Sequence, residues 1–278
     1  MREPKKEDDM NRVVVITGAG GVLCGVIAEH FAKLKDKVAL LDINLDAVEA
    51  LAKKLNEKGY TARGYKANVL EKQSLTEARD KVVKDFGNCD ILINGAGGNN
   101  AKATTDIEFH GENGVKDFFA LEQSGVDFVF NLNFMGAFLT TQVFAEEMAK
   151  KKGSCIINIS SMNAFTPLTK IPAYSAAKSA VSNFTQWLAV YFAKVGMRVN
   201  AIAPGFFSTN QNKTLLYKED GSLTDRSKKI LSNTPMGRFG EPEELLGTIE
   251  WLTDNDASGF VTGIVVPIDG GFSAYSGV

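Results

Sequence analysis

Hydrophobic positions along the chain form short, nearly continuous runs that are separated by longer amphipathic stretches. Runs of this kind, apolar on both faces, are typical of strands buried inside a parallel sheet. Residues 60–66 form a weaker run of the same type. The six stronger runs are Val13–Thr17, Val38–Leu41, Ile91–Asn94, Cys155–Ser160, Val199–Ala203 and Ile264–Val266.

The stretches between these runs carry a helical period. Val48, Ala52 and Leu55, for example, fall on one stripe of a predicted helix. The predicted helices are Val22–Leu34, Asp46–Glu57, Ser74–Phe86, Phe128–Lys151, Ala173–Val195 and Pro242–Asp254. Alternating strands and helices imply parallel strands with right-handed crossovers. We therefore predict an α/β fold, a single-domain Rossmann-like doubly wound parallel sheet of about seven strands with helices on both faces.

The chain contains no internal repeat and no linker rich in Pro, Gly or Ser. Residues 12–278 are therefore predicted to form one domain. Residues 1–11 are charged and polar, lack the apolar segment of a secretory signal, and are predicted to be a flexible leader. Two polar stretches, Asn99–Gly125 and Gln211–Asn233, are longer than most connections in such folds and predict active-site loops.

The composition excludes several classes of protein. The chain has 278 residues, of which 44% are apolar and 23% are charged. Its net charge is −2, so the composition does not predict the basic surface with which proteins bind nucleic acid. No uninterrupted apolar run approaches the roughly 18–20 residues that span a bilayer. Cys24, Cys89 and Cys155 lack CxxC spacing, which predicts buried thiols rather than disulfides or a metal site. Unpaired cysteines favour the reducing cytoplasm.

The first predicted strand runs into a glycine-rich turn that contains Gly18, Gly20 and Gly21 and continues into Val22 and Leu23. Glycines at a strand-to-helix turn let the backbone approach a diphosphate, and the following helix offers free N–H groups. Such a turn alone is weak evidence. Its position after the first strand of an alternating series predicts a dinucleotide site.

Asp42 ends the second predicted strand, 24 residues after Gly18. A carboxylate there can accept hydrogen bonds from the adenosine ribose and would repel a 2′-phosphate. Ile43 and Asn44 follow, with no Arg or Lys to pair with that phosphate. The sequence therefore favours NAD over NADP. The alternative is that Asp42 or Asn44 caps the next helix, a role that suits Asn44 better.

Two further segments are predicted to lie beside the cofactor. Asn94, Ala96 and Gly97 belong to a segment of small residues after the fourth predicted strand, which would let the chain pass close to a ligand. A flexible turn is the alternative interpretation. Asn68, followed by Val69, comes after the third predicted strand and could lie near the adenine.

The sharpest chemical signal is a tyrosine and a lysine four residues apart in a predicted helix, Tyr174 and Lys178. Residues at this spacing share a helix face. A nearby cation lowers a phenol's pKa from about 10, which would let Tyr174 exchange a proton with an alcohol or carbonyl oxygen. The spacing alone often occurs by chance.

Two polar residues elsewhere strengthen this signal. Ser161 ends a predicted strand, where a hydroxyl can bond the same substrate oxygen. Asn133 stands inside an otherwise apolar helix, where asparagine is unfavourable unless it has a role. The neighbouring Asn131 is an alternative for that role.

Together these residues resemble the short-chain dehydrogenase/reductase family across nearly the whole chain, including Asn200–Gly205 and Asp269–Gly271. The resemblance implies an NAD-dependent enzyme that interconverts a secondary alcohol and a ketone. It implies that Tyr174 is the general acid/base and that Lys178 lowers its pKa and binds the nicotinamide ribose. Ser161 would orient the substrate oxygen, and Asn133 would hold a water in a proton relay. The implied nicotinamide contacts are Pro204, Gly205, Phe207 and Thr209.

The chain departs from the family pattern at three positions. The pattern has glycine at positions 22 and 24, where this chain has Val22 and Cys24. It has aspartate at the adenine position, where this chain has Asn68. The first two departures concern the path of the phosphate loop.

Within the family, the chain resembles the branch that acts on sugar acids such as D-mannonate and D-fructuronate, with gluconate enzymes close by. A sugar acid needs many hydrogen bonds and a cation for its carboxylate. Lys102 and Arg238 are the predicted cations, and solvated loop residues are the alternative interpretation. The predicted substrate contacts are Asn99, Asn100, Lys102, Asn163 and Arg238.

The resemblance also implies an assembly. It assigns the apolar segments Phe128–Phe144 and Phe184–Phe192 to a dimer interface and the tail after Asp269 to a second one, which gives a homotetramer. The predicted partner is a small-molecule sugar acid, with no nucleic acid and no membrane.

Two other functions remain open. A 3-oxoacyl or steroid ketoreductase of the same family would have apolar loops in place of the polar ones. A non-enzymatic dinucleotide-binding regulator would lack Tyr174 or Lys178.

Overall fold

The computed structural model describes residues 11–209 and 212–277. Within them, seven strands form one sheet in the order β3-β2-β1-β4-β5-β6-β7, and every pair is parallel. The predicted doubly wound sheet is confirmed. The predicted leader lies almost wholly outside the described residues. The strands are β1 (Val13–Thr17), β2 (Lys37–Asp42), β3 (Thr61–Lys66), β4 (Ile91–Asn94), β5 (Cys155–Ile159), β6 (Arg198–Pro204) and β7 (Val265–Ile268).

Helices cover both faces of the sheet. The first core joins β1 through Val14 and Ile16 to α1, α2 and α9, and the second joins β1 through Val13 and Val15 to α3, α5 and α6. This alternation follows from the two-residue period of a strand. The helices are α1 (Val22–Lys33), α2 (Leu45–Glu57), α3 (Lys72–Phe86), α4 (Gln123–Phe130), α5 (Gly136–Met148), α6 (Pro172–Phe192), α7 (Lys213–Leu216), α8 (Asp225–Ser232), α9 (Leu246–Thr253) and α10 (Asn255–Ser258).

The structure differs from the sequence prediction in two segments. The predicted helix Phe128–Lys151 begins earlier, at Gln123, and contains a π-helical turn over Asn131–Met135 between α4 and α5. The predicted loop Gln211–Asn233 contains α7 and α8. Helices this short depend on tertiary contacts rather than on their own pattern, which is why the sequence did not reveal them.

The helical stretch Gln123–Met148 is long and apolar enough to cross a membrane by length and composition alone. Half of its most apolar window is buried inside the fold, however. Phe144 and Met148 pack in the second core against the sheet. A helix that covers the core of a globular domain meets the same criterion, and we interpret this stretch as such a helix.

The three cysteines are unpaired and buried, as the sequence predicted. Burial raises the pKa of the Cys24 thiol to about 12 and that of Cys155 to about 11, so both are protonated near neutral pH. Over residues 11–209 and 212–277, no cluster of three or more His, Cys, Asp or Glu side chains could hold a metal ion.

Candidate active site

The carboxyl ends of the strands bring the glycine turn, the end of β2 and the segment after β4 together. Gly18 has a positive φ of 68°, and a Cβ on it would lie 2.9 Å from the backbone of Ala96. The Gly20 N–H donates to Asp42 Oδ2 at 3.0 Å. Three segments predicted separately to bind a cofactor therefore form one continuous surface.

The N-terminus of α1 is open beside this surface. Its N-cap residue is Gly21, which has no side chain to cap the helix, and the first turn of α1 contains no acidic residue. Val22 and Leu23 line a cavity of about 330 Å³ together with Gly205 and Thr209, among others. Free N–H groups and the positive end of the helix dipole favour an anion there. The residues present therefore fit the diphosphate of a dinucleotide.

Asp42 and Asn44 divide the two roles that the sequence left open. Asn44 caps α2, because its side chain accepts a hydrogen bond from Ala47 N at 3.2 Å. Asp42 Oδ1 accepts from Asn44 N at 2.9 Å, while Oδ2 accepts from Gly20 N. Each carboxylate oxygen has a second lone pair, so Asp42 can still accept a bond from a ribose hydroxyl.

Asn94, at the end of β4, lies in a buried polar ladder. Its Nδ2 donates to Thr141 Oγ1 at 3.0 Å and to Asn158 Oδ1 at 2.8 Å, and Asn158 Nδ2 donates to Thr185 Oγ1 at 2.9 Å. Among the described residues, Asn94 Oδ1 has no partner. The side-chain amide of Asn94 therefore stabilises the fold, and its predicted cofactor contact would come from the backbone. The ladder was not predicted from the sequence, where its signal is single polar residues inside apolar runs.

Asn68 and Val69 follow β3. The Asn68 side chain donates to Glu71 Oε1 at 2.8 Å and accepts from Leu70 N at 3.1 Å, which closes the turn before α3. Val69 is buried and faces Gly136, where a Cβ would lie 3.0 Å from Val69 Cγ2. Both residues keep their predicted place at the carboxyl edge of the sheet.

The segment after β6 packs against the C-terminal tail. Gly205 follows Pro204, and a Cβ on it would lie 2.6 Å from Asp269 Cα. Phe207 is buried, and its carbonyl accepts from Asn212 Nδ2 at 2.8 Å, while Asn212 Oδ1 accepts from Thr209 N at 2.9 Å. Close packing against Asp269 and the side chain of Asn212 thus hold this segment in place, and three of its four predicted nicotinamide residues, Gly205, Phe207 and Thr209, line the cavity at α1.

Tyr174, Lys178 and Ser161 come together as predicted from their order along the chain. Tyr174 lies in the first turn of α6, and Lys178 Nζ lies 5.7 Å from the centroid of its ring. Ser161, just after β5, makes a side-chain hydrogen bond with Tyr174. Lys178 is buried, and its Nζ donates to the Ile159 carbonyl at 2.7 Å. Two hydroxyl groups and a buried cation therefore lie together at the carboxyl edge of the sheet.

The direction of the Tyr174 pKa corrects the sequence-based expectation. Burial raises the pKa of Tyr174 above its ordinary value near 10, and the hydrogen bond with Ser161 offsets only part of this rise. The Lys178 ammonium, 5.7 Å from the ring centroid, does not reverse this direction. Burial lowers the pKa of Lys178 itself from 10.5 to about 8. Tyr174 is thus a neutral phenol at neutral pH and a proton donor.

Asn133 lies in the π-helical turn and is buried, whereas Asn131 is exposed. Its Nδ2 donates to the carbonyls of Gly98 at 2.7 Å and Val129 at 2.8 Å, and its Oδ1 accepts from Gly98 N at 3.2 Å. Asn133 therefore fastens the segment after β4 to the helix. Turns of the π type often occur at functional sites. The predicted water relay through Asn133 remains a prediction.

Three predicted substrate residues are asparagines near this edge. Asn163 is buried beside Ser161, whose Oγ accepts from Asn163 N at 3.2 Å, and Asn163 Oδ1 has no partner among the described residues. Asn99 is exposed and donates to Thr104 at 3.1 Å. Asn100 accepts from Lys102 N at 2.9 Å and caps a short 3-10 turn.

The two predicted substrate cations are both paired with carboxylates of the chain. Lys102 Nζ lies 2.9 Å from Glu122 Oε2. Arg238 makes two bonds to Glu244, at 2.6 and 2.7 Å, and lines a different cavity near Gly270. Either cation would have to exchange its partner to bind a substrate carboxylate, so the geometry adds no support to these two assignments.

Comparison with known proteins identifies the family. The family model for short chain dehydrogenases matches residues 12–220. The chain belongs to the short-chain dehydrogenase/reductase family. It is therefore an oxidoreductase that acts on an alcohol or a ketone.

Similar family members extend over nearly the whole chain. An uncharacterized oxidoreductase of Haemophilus influenzae is 61% identical over 96% of this chain and 95% of its own length. A crystal structure from the same organism, described as a candidate D-mannonate oxidoreductase with bound NAD, is 61% identical with a TM-score of 0.94, and the match covers 97% of each chain. The 5-keto-D-gluconate 5-reductase of Escherichia coli K12 is 31% identical over 93% of this chain and 94% of its own length.

This dehydrogenase/reductase accommodates its departure from the family's glycine pattern by a local exchange. The Cys24 side chain, at the position of a family glycine, fills the space that a Cβ on Gly95 would occupy. Because Gly95 has no side chain, there is room for the Cys24 side chain, and a glycine at position 24 is not needed. Val22, the other departure, lines the cavity and begins α1, so the turn reaches the helix without a third glycine there.

Proposed function

We propose that the chain is an NAD(H)-dependent oxidoreductase that interconverts a secondary alcohol and a ketone on a sugar acid. The proposed pair is D-mannonate, which carries the alcohol, and D-fructuronate, which carries the ketone. The observation that carries the chemistry is the cluster of Tyr174, Ser161 and Lys178 at the carboxyl edge of the sheet, next to the open N-terminus of α1. The sugar-acid assignment rests on the likeness to the NAD-bound Haemophilus structure.

The proposed cofactor contacts follow the surface built by the carboxyl ends of the strands. Backbone N–H groups at the start of α1 would hold the diphosphate, and Asp42 would bind the adenosine ribose. The negative charge of Asp42 favours NAD over NADP. NAD supplies the hydride chemistry when bound. The remaining proposed contacts are Gly18, Gly20, Gly21, Val22, Leu23, Asn68, Val69, Asn94, Ala96, Gly97, Tyr174, Lys178, Pro204, Gly205, Phe207 and Thr209.

Tyr174 would act as the general acid when the ketone is reduced. Its raised pKa keeps the phenol protonated, so it can donate its proton to the carbonyl oxygen as that oxygen gains negative charge. The Ser161 hydroxyl, which is hydrogen-bonded to Tyr174, would hold the carbonyl oxygen of the substrate in place. In alcohol oxidation the phenolate accepts the proton back. Lys178 would then stabilise the phenolate electrostatically and bind the nicotinamide ribose.

The proposed substrate contacts are polar, as a sugar acid requires. Asn163 has a buried and unpartnered Oδ1 among the described residues, and a substrate hydroxyl could donate a hydrogen bond to it. Asn99 and Asn100 would contribute from the loop after β4. Lys102 and Arg238 stay proposed for the carboxylate only if each exchanges its present partner.

A closely related substrate is the second candidate. The likeness to the Escherichia coli 5-keto-D-gluconate 5-reductase favours a keto-gluconate. Both candidates place a ketone on a polyhydroxylated acid, so they share the same predicted contacts.

We also propose a cytoplasmic homotetramer. Trp187 and Tyr191 stack at 4.9 Å between ring centroids, and both are exposed on α6 in the single chain. An exposed aromatic surface of this kind is typical of a protein interface. The unpaired thiols fit a reducing compartment.

Oxidation of NADH at 340 nm tests the proposed function. Purified protein would be mixed with D-fructuronate, 5-keto-D-gluconate, a 3-oxoacyl thioester or a ketosteroid, with NADPH in parallel. We expect the highest kcat/KM with D-fructuronate and NADH. Equal or better activity with the thioester or the steroid would refute the sugar-acid assignment, and a preference for NADPH would refute the role of Asp42.

A further inference from the structure

An arginine outside the family's motifs faces the cavity at the N-terminus of α1. Arg226 lies on α8, is exposed, and lines this cavity together with Val22 and Leu23. Of the described residues that line it, Arg226 alone is charged. The lining thus includes both the open positive end of α1 and a guanidinium, and each of them favours a bound anion.

The backbone on both sides of Arg226 is fixed. The Thr224 hydroxyl donates to the Leu215 carbonyl at 3.0 Å, and the Ser227 hydroxyl donates to the Leu216 carbonyl at 2.7 Å. Ser227 is fully buried. The backbone position of Arg226 relative to α7 is therefore set before any ligand binds, which reduces the entropy that ordering this segment would cost.

The other cations of α8 already have partners. Lys228 lies 3.2 Å from Asp225, and Lys229 forms an ion pair with Glu108 in the loop after β4. In the described part of the chain, Arg226 makes no ion pair with a carboxylate. Its guanidinium is therefore available to a ligand, unlike Lys102 and Arg238.

We propose that Arg226 binds the diphosphate of NAD. The proposal rests on the proposed function, because it requires a dinucleotide in this cavity. A substrate carboxylate is the other anion that could reach a guanidinium. The diphosphate is favoured because the cavity includes the first residues of α1, and Ser161, Tyr174 and Lys178 do not line its described part.

Arg226→Met tests the proposal, and Lys228→Met is the matched control because it removes an exposed cation from the same helix outside the cavity. Kd values for NADH, ADP-ribose and adenosine would be measured without substrate by fluorescence and calorimetry. We expect Arg226→Met to raise Kd for NADH and ADP-ribose about tenfold or more, the usual effect of losing a charge-assisted hydrogen bond. Adenosine, which has no phosphate, should bind both variants as it binds the unmodified protein.

Arg226→Lys adds a second readout, since a lysine keeps the charge but loses the paired donors of the guanidinium. We expect the Kd values of Arg226→Lys for NADH and ADP-ribose to lie between those of Arg226→Met and those of the unmodified protein. Unchanged ADP-ribose binding together with a raised KM for D-fructuronate would overturn the proposal and assign Arg226 to the substrate. If Lys228→Met lost as much affinity for NADH and ADP-ribose as Arg226→Met, the effect would be one of general charge, and the proposal would be overturned. Failure of the unmodified protein to bind NADH would instead refute the proposed function itself.

Discussion

Replacing Lys178 by methionine should stabilise the folded protein while abolishing turnover. Lys178 is only 4% exposed, and burial lowers its pKa from 10.5 to about 8. Its positive charge therefore opposes folding at neutral pH. Methionine has a similar length, carries no charge and tolerates irregular packing.

The magnitude follows from the pKa. A shift from 10.5 to about 8 corresponds to about 3 kcal/mol of unfavourable free energy at pH 7. Loss of the hydrogen bond to the Ile159 carbonyl costs roughly 1–2 kcal/mol in return. We therefore expect Lys178→Met to be about 1–2 kcal/mol more stable at pH 7, which raises Tm by a few degrees.

The pH dependence gives a sharper test than the stability at one pH. Between the folded pKa near 8 and the unfolded value near 10.5, the unfolded state binds more protons, so Lys178 makes stability rise with pH. The advantage of Lys178→Met should therefore shrink by about 2 kcal/mol between pH 7 and pH 9.5.

Thermal and urea unfolding across that pH range measure this difference. The exposed Lys194→Met serves as the control and should follow the unmodified protein at every pH. A Lys178→Met variant that is less stable at pH 7, with a pH profile parallel to that of the unmodified protein, would refute the reasoning that Lys178 is held in an unfavourable buried charge state.

Three further substitutions test other parts of the site. Gly97→Ala should weaken NADH binding and lower Tm, because the new Cβ would lie 2.7 Å from Asn133 Oδ1; unchanged fluorescence titration and melting would contradict this. Asp42→Asn should shift the kcat/KM ratio toward NADPH at least tenfold by removing the charge that repels the 2′-phosphate; an unchanged ratio would contradict it. Asn158→Leu should lower the free energy of unfolding by about 2 kcal/mol or more in urea, since it removes one of the two acceptors of the buried Asn94 amide and the donor to Thr185; a smaller loss would mean that the ladder adds little.

The strands and their order followed from the sequence because buried parallel strands leave an unmistakable apolar pattern. β1 and β4 occur with the predicted bounds, and the others differ by one or two residues at one or both ends. The contact of Tyr174 with Ser161 also followed, since both sit at the carboxyl edge that this topology creates.

Features that depend on long-range contacts did not follow from the sequence. The π-helical turn around Asn133 is tied to Gly98, 35 residues earlier in the chain. Lys102 pairs with Glu122, 20 residues away, a partner that no local pattern indicates. The direction of the Tyr174 pKa depends on burial, which spacing along a helix does not reveal. Arg226 was missed because its short helix is held by contacts with α7 rather than by its own pattern.

The most direct test of the central claim compares the unmodified protein with Tyr174→Phe in the reduction of D-fructuronate by NADH. The substitution removes only the phenolic oxygen that we assign as proton donor. We expect kcat to fall about 100-fold or more, with the Kd for NADH nearly unchanged, because a general acid contributes about 10²–10⁴-fold to the rate. Turnover that stays within about tenfold of the unmodified protein would contradict the role of Tyr174 as the general acid/base.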